Sequence, residues 1–172
     1  MSDTHSEILE RLQAKDALLF GLSDTLDVKA SLALVMITFL ATQTGAWLSM
    51  DGLPIWFHSA QVLAAFVLAA AGIVALVSLW PRNHALEPAE AFEAWVQELR
   101  AFYRDAPHPE EAVAQEFRRG RILRLTERIE AHEQLDREKS RLVGLAYVLT
   151  GVAVILNLGT VMGLAFITPR LS

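Results

Sequence analysis

Arg121, Arg124 and Arg128 recur at three- and four-residue spacing, so a helix over this stretch shows all three on one face. With Arg118 and Arg119 they form the densest positive charge in the chain. A planar guanidinium holds a phosphate through two parallel hydrogen bonds, which makes this face a candidate anion site. The more ordinary reading is a solvated face whose arginines pair with neighbours such as Glu127 and help set membrane topology. A second charged group, Asp24, Asp27 and Lys29, stands where a long apolar stretch begins. Residues so placed commonly anchor a span, because a lysine stem lies along lipid while its ammonium stays wet.

Polar groups inside apolar stretches form the next set. Gln43, flanked by Thr38, Thr42 and Thr44, and Asn157 are the most polar side chains away from the ends of these stretches. An amide in hydrocarbon needs a partner helix or water, so both are candidates for packing contacts or for lining a pore; packing is the commoner role. Gly159 and Gly163 form a GxxxG pattern, with Gly151 on about the same side, where another backbone can approach closely.

Signals for catalysis are missing. The chain has no phosphate-cradling glycine loop, no nucleophile elbow and no histidine pair at metal-ligand spacing. His5, His58, His84, His108 and His132 are scattered, and His132 suits packing on the apolar edge of its helix. Without cysteine there is no disulfide, thiolate nucleophile or thiolate metal site. The expectation is a protein that is not an enzyme, with no catalytic residue, no metal and no cofactor.

The elements that carry these residues follow from how charge is distributed. The chain has 172 residues, 53% of them hydrophobic and 20% charged, with net charge −5 and mean hydropathy +0.32. An acidic balance gives no pull toward a nucleic acid polymer. Nearly all the charge falls in the first thirty residues and between Arg82 and Arg141. Residues 30–50, 57–80 and 142–168 are free of Asp, Glu, Lys and Arg, and each reaches the roughly 20 apolar residues that a bilayer-spanning helix needs. The fold class expected is therefore all-α, an integral membrane protein with three spans. The link between the first two holds Asp51, Gly52 and Pro54 and makes a tight hairpin. Trp47, Trp56 and Trp80 fall near interfaces.

Lys and Arg number three before the first span, eleven between Arg82 and Arg141, none in the hairpin link and one, Arg170, after the last span. The positive-inside rule then places residues 1–29 and 81–141 in the cytoplasm and a short tail, 169–172, in the periplasm. The N-terminus has neither a cationic start nor an apolar run, so it is not read as a signal peptide. Within the cytoplasmic part, 87–104 reads as an amphipathic helix with Pro88 in its first turn and Ala89, Phe92, Val96, Leu99 and Tyr103 as its stripe. Residues 105–109 break the chain. A second helix begins at Pro109, carries Val113, Phe117, Ile122, Leu125 and Ile129, and can run unbroken into the third span. The N-terminal helix shows Ile8, Leu12, Leu19, Leu22 and Leu26 on one face. These three are expected to pack as a small helical bundle, or to satisfy their stripes between subunits.

Residues 22–34, LSDTLDVKASLAL, resemble the Asp-x-Lys-Ala-Ser start of the first span in the transmembrane effectors of bacterial Pycsar systems. The matching positions are Asp27, Lys29, Ala30 and Ser31. The layout also resembles that family: a short helix, two spans, a helical segment, and a last span preceded by Glu138 and Lys139. The resemblance implies an inner-membrane effector of antiphage defence. Cyclic UMP or cyclic CMP from a pyrimidine nucleotide cyclase would activate it, and membrane impairment would end in abortive infection. It also implies a homo-oligomer in the lipid bilayer, with Lys29, Arg121, Arg124 and Arg128 as candidates for holding the nucleotide. Two other readings stay open: a non-toxic accessory or scaffold subunit, and a holin-like pore protein.

Overall fold

The computed structural model describes residues 2–80 and 89–167. It contains four helices, α1 (Ser2–Leu48), α2 (Ile55–Leu79), α3 (Ala89–Phe102) and α4 (Pro109–Ile167), and no strand among the described residues. The tail at 169–172, the last residue of the expected third span at 168, and Pro88 with the start of the amphipathic helix at 87 lie outside the described residues.

Neither passage from charged to apolar sequence is a helix boundary. The N-terminal helix continues into the first span as α1, and α4 runs from Pro109 through Arg141 to Ile167. Both stretches lack a proline past the first turn, so nothing removes a backbone donor at the change of polarity. The interruptions occur where the sequence supplies turn chemistry. Gly52 takes φ +80°, a backbone region that penalises other residues. Pro54 then caps α2 in an extended conformation, its carbonyl accepting from the Phe57 N–H at 2.9 Å. Between α3 and α4 the Ala106 N–H donates to Tyr103 O, and the His108 carbonyl accepts from Ala112 N–H to start α4. Pro109 suits the first helical position because no donor is needed there.

The chain divides into two compact units. The apolar unit comprises Ser23–Trp80 and Asp136–Ser172. Among the described residues three helices are long and apolar enough to cross a membrane. Their outward side chains are large and hydrophobic, with Ile55 85%, Phe66 71% and Ile155 70% exposed, a surface that water would not tolerate and lipid solvates. The inward faces are narrow lines at alternating spacings of three and four. On α2 the line is Phe57, Gln61, Ala64, Leu68, Ala71, Ala75 and Ser78. On α1 the buried positions are Leu26, Ala30, Ala33, Ile37 and Thr44; on α4 they are Val143, Ala146, Thr150, Ala153 and Thr160. That spacing is the seam of a left-handed coiled coil. Alanine dominates it because lipid tails are as apolar as leucine, so close backbone approach, not apolar bulk, holds such helices together. Ile37 and Leu68 fill the centre against Ala71, Ala75, Ala146 and Ala153.

The charged unit comprises Met1–Leu22 and Pro81–Leu135. It joins the start of α1, α3 and the first part of α4, the three segments expected to form the polar bundle. Its centre between α3 and α4 is aromatic. Phe92, Trp95 and Phe117 lie with ring centroids 5.2–6.0 Å apart. Gly120 makes this possible, since a Cβ there would stand 2.6 Å from Cζ2 of Trp95.

Candidate functional site

The arginine face of α4 is divided among three jobs. Arg128 forks onto Asp16 of α1, its Nε donating to Oδ1 at 3.2 Å and its Nη2 to Oδ2. The Asp16 side chain is 11% exposed and the Arg128 side chain 39%, so the carboxylate is withdrawn from water while the guanidinium is partly wet, and the pair replaces the expected neighbour Glu127. Lys15 adds a second bridge between the same helices, 2.6 Å from Glu133. Phe20 meets the buried His132 edge to face at 5.0 Å, so His132 takes a packing role. Arg124 lies over the indole of Trp95, 4.4 Å from its centroid, and 5.7 Å from that of Phe92. A guanidinium so placed is held by the ring quadrupoles. Arg121 is exposed and makes no ion pair among the described residues. Of the three, it is the one with its whole donor set open to a phosphate.

Lys29 belongs to the apolar unit, within the Asp27-to-Ser31 signature, and there the signature acts structurally. Asp27 accepts an ion pair from Lys139 of α4 at 2.5 Å. The Lys29 carbonyl accepts the Tyr147 hydroxyl of α4 at 3.0 Å, while its own side chain is exposed. Ala30 is fully buried, and Ser31 donates back to the Asp27 carbonyl at 2.9 Å. Asp27 and Lys29 of the signature thus join α1 to α4, whereas Ser31 bonds within α1.

Deeper in the apolar unit a polar layer crosses all three helices. Thr44 Oγ1 of α1 donates to Asn157 Oδ1 of α4 at 3.3 Å. One turn on, Gln61 Nε2 of α2 donates to Thr160 Oγ1 at 2.9 Å. Asn157 Nδ2 is satisfied by the Ala153 carbonyl, and Thr160 donates within its own helix. Gln43, next to Thr44, points outward and is exposed. The GxxxG pair also separates. A Cβ at Gly163 would come within 3.1 Å of the Trp56 indole, whereas Gly159 faces open space. The close approach that Gly163 permits is therefore to a tryptophan of the hairpin. Among the described residues, no group of three or more His, Asp or Glu side chains is placed to hold a metal ion.

Compared with known proteins, the chain matches the model of the Pycsar effector protein domain over residues 13–168 of its 172. That match takes in all three spans and most of the charged unit. The chain belongs to the Pycsar effector family. No curated protein matches it, and no solved structure does. Membership in the Pycsar effector family fits a chain with three helices long and apolar enough to cross a membrane. It also puts the signature in context. In this Pycsar effector, Asp27, Lys29, Ala30 and Ser31 stand where the first span meets the third.

Gln61 and Asp16 are among the residues of the site not singled out in the sequence. Gln61 sits in a run of alanine, valine and leucine, and its distance from α2's start gave no sign that it faces inward. Asp16 looked like one acid among several on an exposed helix. For both, the missing signal was helix rotation. The 3-4 line of small residues on α2 is the only sequence trace that could have placed Gln61 inside.

Proposed function

We propose that this chain is a membrane effector of bacterial antiphage defence, which cyclic UMP or cyclic CMP activates to impair the inner membrane and abort infection. The observation that carries this reading is the Pycsar effector match over residues 13–168 on a chain with three spanning helices. The nucleotide comes from a pyrimidine nucleotide cyclase and meets the charged unit on the cytoplasmic side. Its phosphate binds at Arg121. Arg124 and Arg128 have prior commitments to Trp95 and Asp16, and they shape the face around it.

The protein acts as a homo-oligomer, and the ligand favours the membrane-impairing state only by as much as it binds that state better than the resting one. The direct test is dye release from liposomes containing the purified protein. Addition of one of the two cyclic nucleotides should release dye, and 5′-UMP and 5′-CMP should not. Silence with both cyclic nucleotides overturns the reading, and stable co-purification with one protein partner would then favour a scaffold subunit.

A further inference from the structure

Gln61 is fully buried in the apolar unit, and its Oε1 is a buried side-chain oxygen with no hydrogen-bond partner. Turning the amide over does not remove the problem. Oε1 would then face Thr160, and Nε2 would be the atom left without a partner. An unpaired amide in a low-dielectric interior costs about 1–3 kcal/mol, more than a packing preference for glutamine could offset. The amide bonds to Thr160, and one turn away on α4 Asn157 bonds to Thr44, so two polar contacts stand side by side: Thr44 is 1% exposed, Thr160 7%, and Asn157 is half-buried. All four stand on the 3-4 seams, within about three turns of the α1–α2 link or of the described end of α4. A site this polar, with an acceptor in want of a donor, suits a water molecule, which needs two to four polar partners.

We infer that the Thr44–Gln61–Asn157–Thr160 layer binds water inside the membrane bundle, and that the water path opened on activation starts there. A polar residue at a coiled-coil seam can also serve only to fix helix register. The two roles separate, because register needs the Gln61–Thr160 bond alone, whereas hydration uses the amide's other end. Water is the ligand that fits: the layer is uncharged, which gives an ion no counter-charge, and an amide and hydroxyls both donate and accept. Gln43, by contrast, adjoins Thr44 in sequence but faces lipid. The second half of this inference rests on the membrane-impairing reading; the first half does not.

The experiment has two arms. In bilayers without nucleotide, water-edited solid-state NMR of the full chain with ¹⁵N-labelled glutamine should show transfer from water to one side-chain amide that disappears in Gln61→Leu. If the Gln61 amide receives nothing, the hydration site is overturned. In the liposome assay, Gln61→Leu and, separately, Thr44→Val should lower nucleotide-triggered release about tenfold, the loss of one buried polar contact, with Gln43→Leu near wild type. Thr44→Val guards against misfolding of the first variant, and helicity and elution volume in detergent check both. Full release from both folded variants, or loss of release in Gln43→Leu alone, overturns the path. If the wild type itself releases nothing, the functional reading fails while the NMR arm still decides the hydration site.

Discussion

The Lys139 ammonium lies 2.5 Å from Asp27 Oδ1, on a side chain only 13% exposed, whereas the Asp27 side chain is 46% exposed. The pair is lopsided: the cation is withdrawn from water and the anion is not. Removing one partner therefore differs from removing the other. Asp27→Ala leaves a withdrawn ammonium unpaired and should cost about 1 kcal/mol after allowing for the exposed side of the pair. Lys139→Met leaves a carboxylate that water can reach and should cost less. Thermal unfolding in detergent micelles checks the order, and the double exchange Asp27→Lys with Lys139→Asp should recover part of the loss. Equal effects of the two single changes would remove the asymmetry.

Arg128 gives the opposite expectation from Arg121, although both lie on one helical face. Arg128→Ala strands the Asp16 carboxylate in a poorly solvated position and, after allowing for the exposed side of the arginine, should destabilise the charged unit by about 1–2 kcal/mol. Arg128→Lys keeps the charge but loses the fork, and should fall between. Arg121→Ala should stay within about 0.5 kcal/mol of wild type. Loss of nucleotide affinity in Arg121→Ala, measured by calorimetry, then reports a ligand contact, and unchanged affinity removes Arg121 from the site.

Two glycines separate space from helix propensity. Gly21 has open space around a would-be Cβ, so Gly21→Ala should stabilise α1 by about 0.5–1 kcal/mol. Gly120→Ala gains the same propensity but drives a methyl into Trp95, which Phe117 and Arg124 already crowd. Its net effect should be destabilising by about 1 kcal/mol or more, with the emission of Trp95 shifted to the red. A stabilised Gly120→Ala would mean that the indole moves aside freely.

Because the chain has no cysteine, single introduced thiols report its orientation without background. In intact spheroplasts, a membrane-impermeant maleimide should label Asp51→Cys in the α1–α2 link. It should reach Glu110→Cys at the start of α4 only after permeabilisation. The reverse pattern would invert the proposed topology.

Hydropathy made the three spans legible, because a run of uncharged residues has few stable alternatives to lipid. With no proline past Pro109 within the helix, the unbroken passage of α4 was likewise open to the sequence. Rotation about each axis was not. In the charged unit an apolar stripe marks the inner face, and Val113 and Ile129 are indeed buried. In the spans every face is apolar, so nothing in composition distinguishes Gln43 from Thr44, although about 100° of helix rotation separates them. The inward face is marked by smallness instead, in Ala64, Ala71 and Ala75, and an alanine is common enough on lipid-facing sides to hide that mark. The Asp16–Arg128 pair was hidden for a different reason: it joins residues far apart in sequence, and local spacing pointed to Glu127.

All four polar bridges of the apolar unit described above have α4 as one partner: Asp27–Lys139, Lys29–Tyr147, Thr44–Asn157 and Gln61–Thr160. A ribosome delivers α1 and α2 before those α4 groups. Until translation passes Thr160, Thr44 and Gln61 reside in the young hairpin without their mates. The newborn α1–α2 pair is consequently a provisional assembly, and its completion waits on the synthesis of α4.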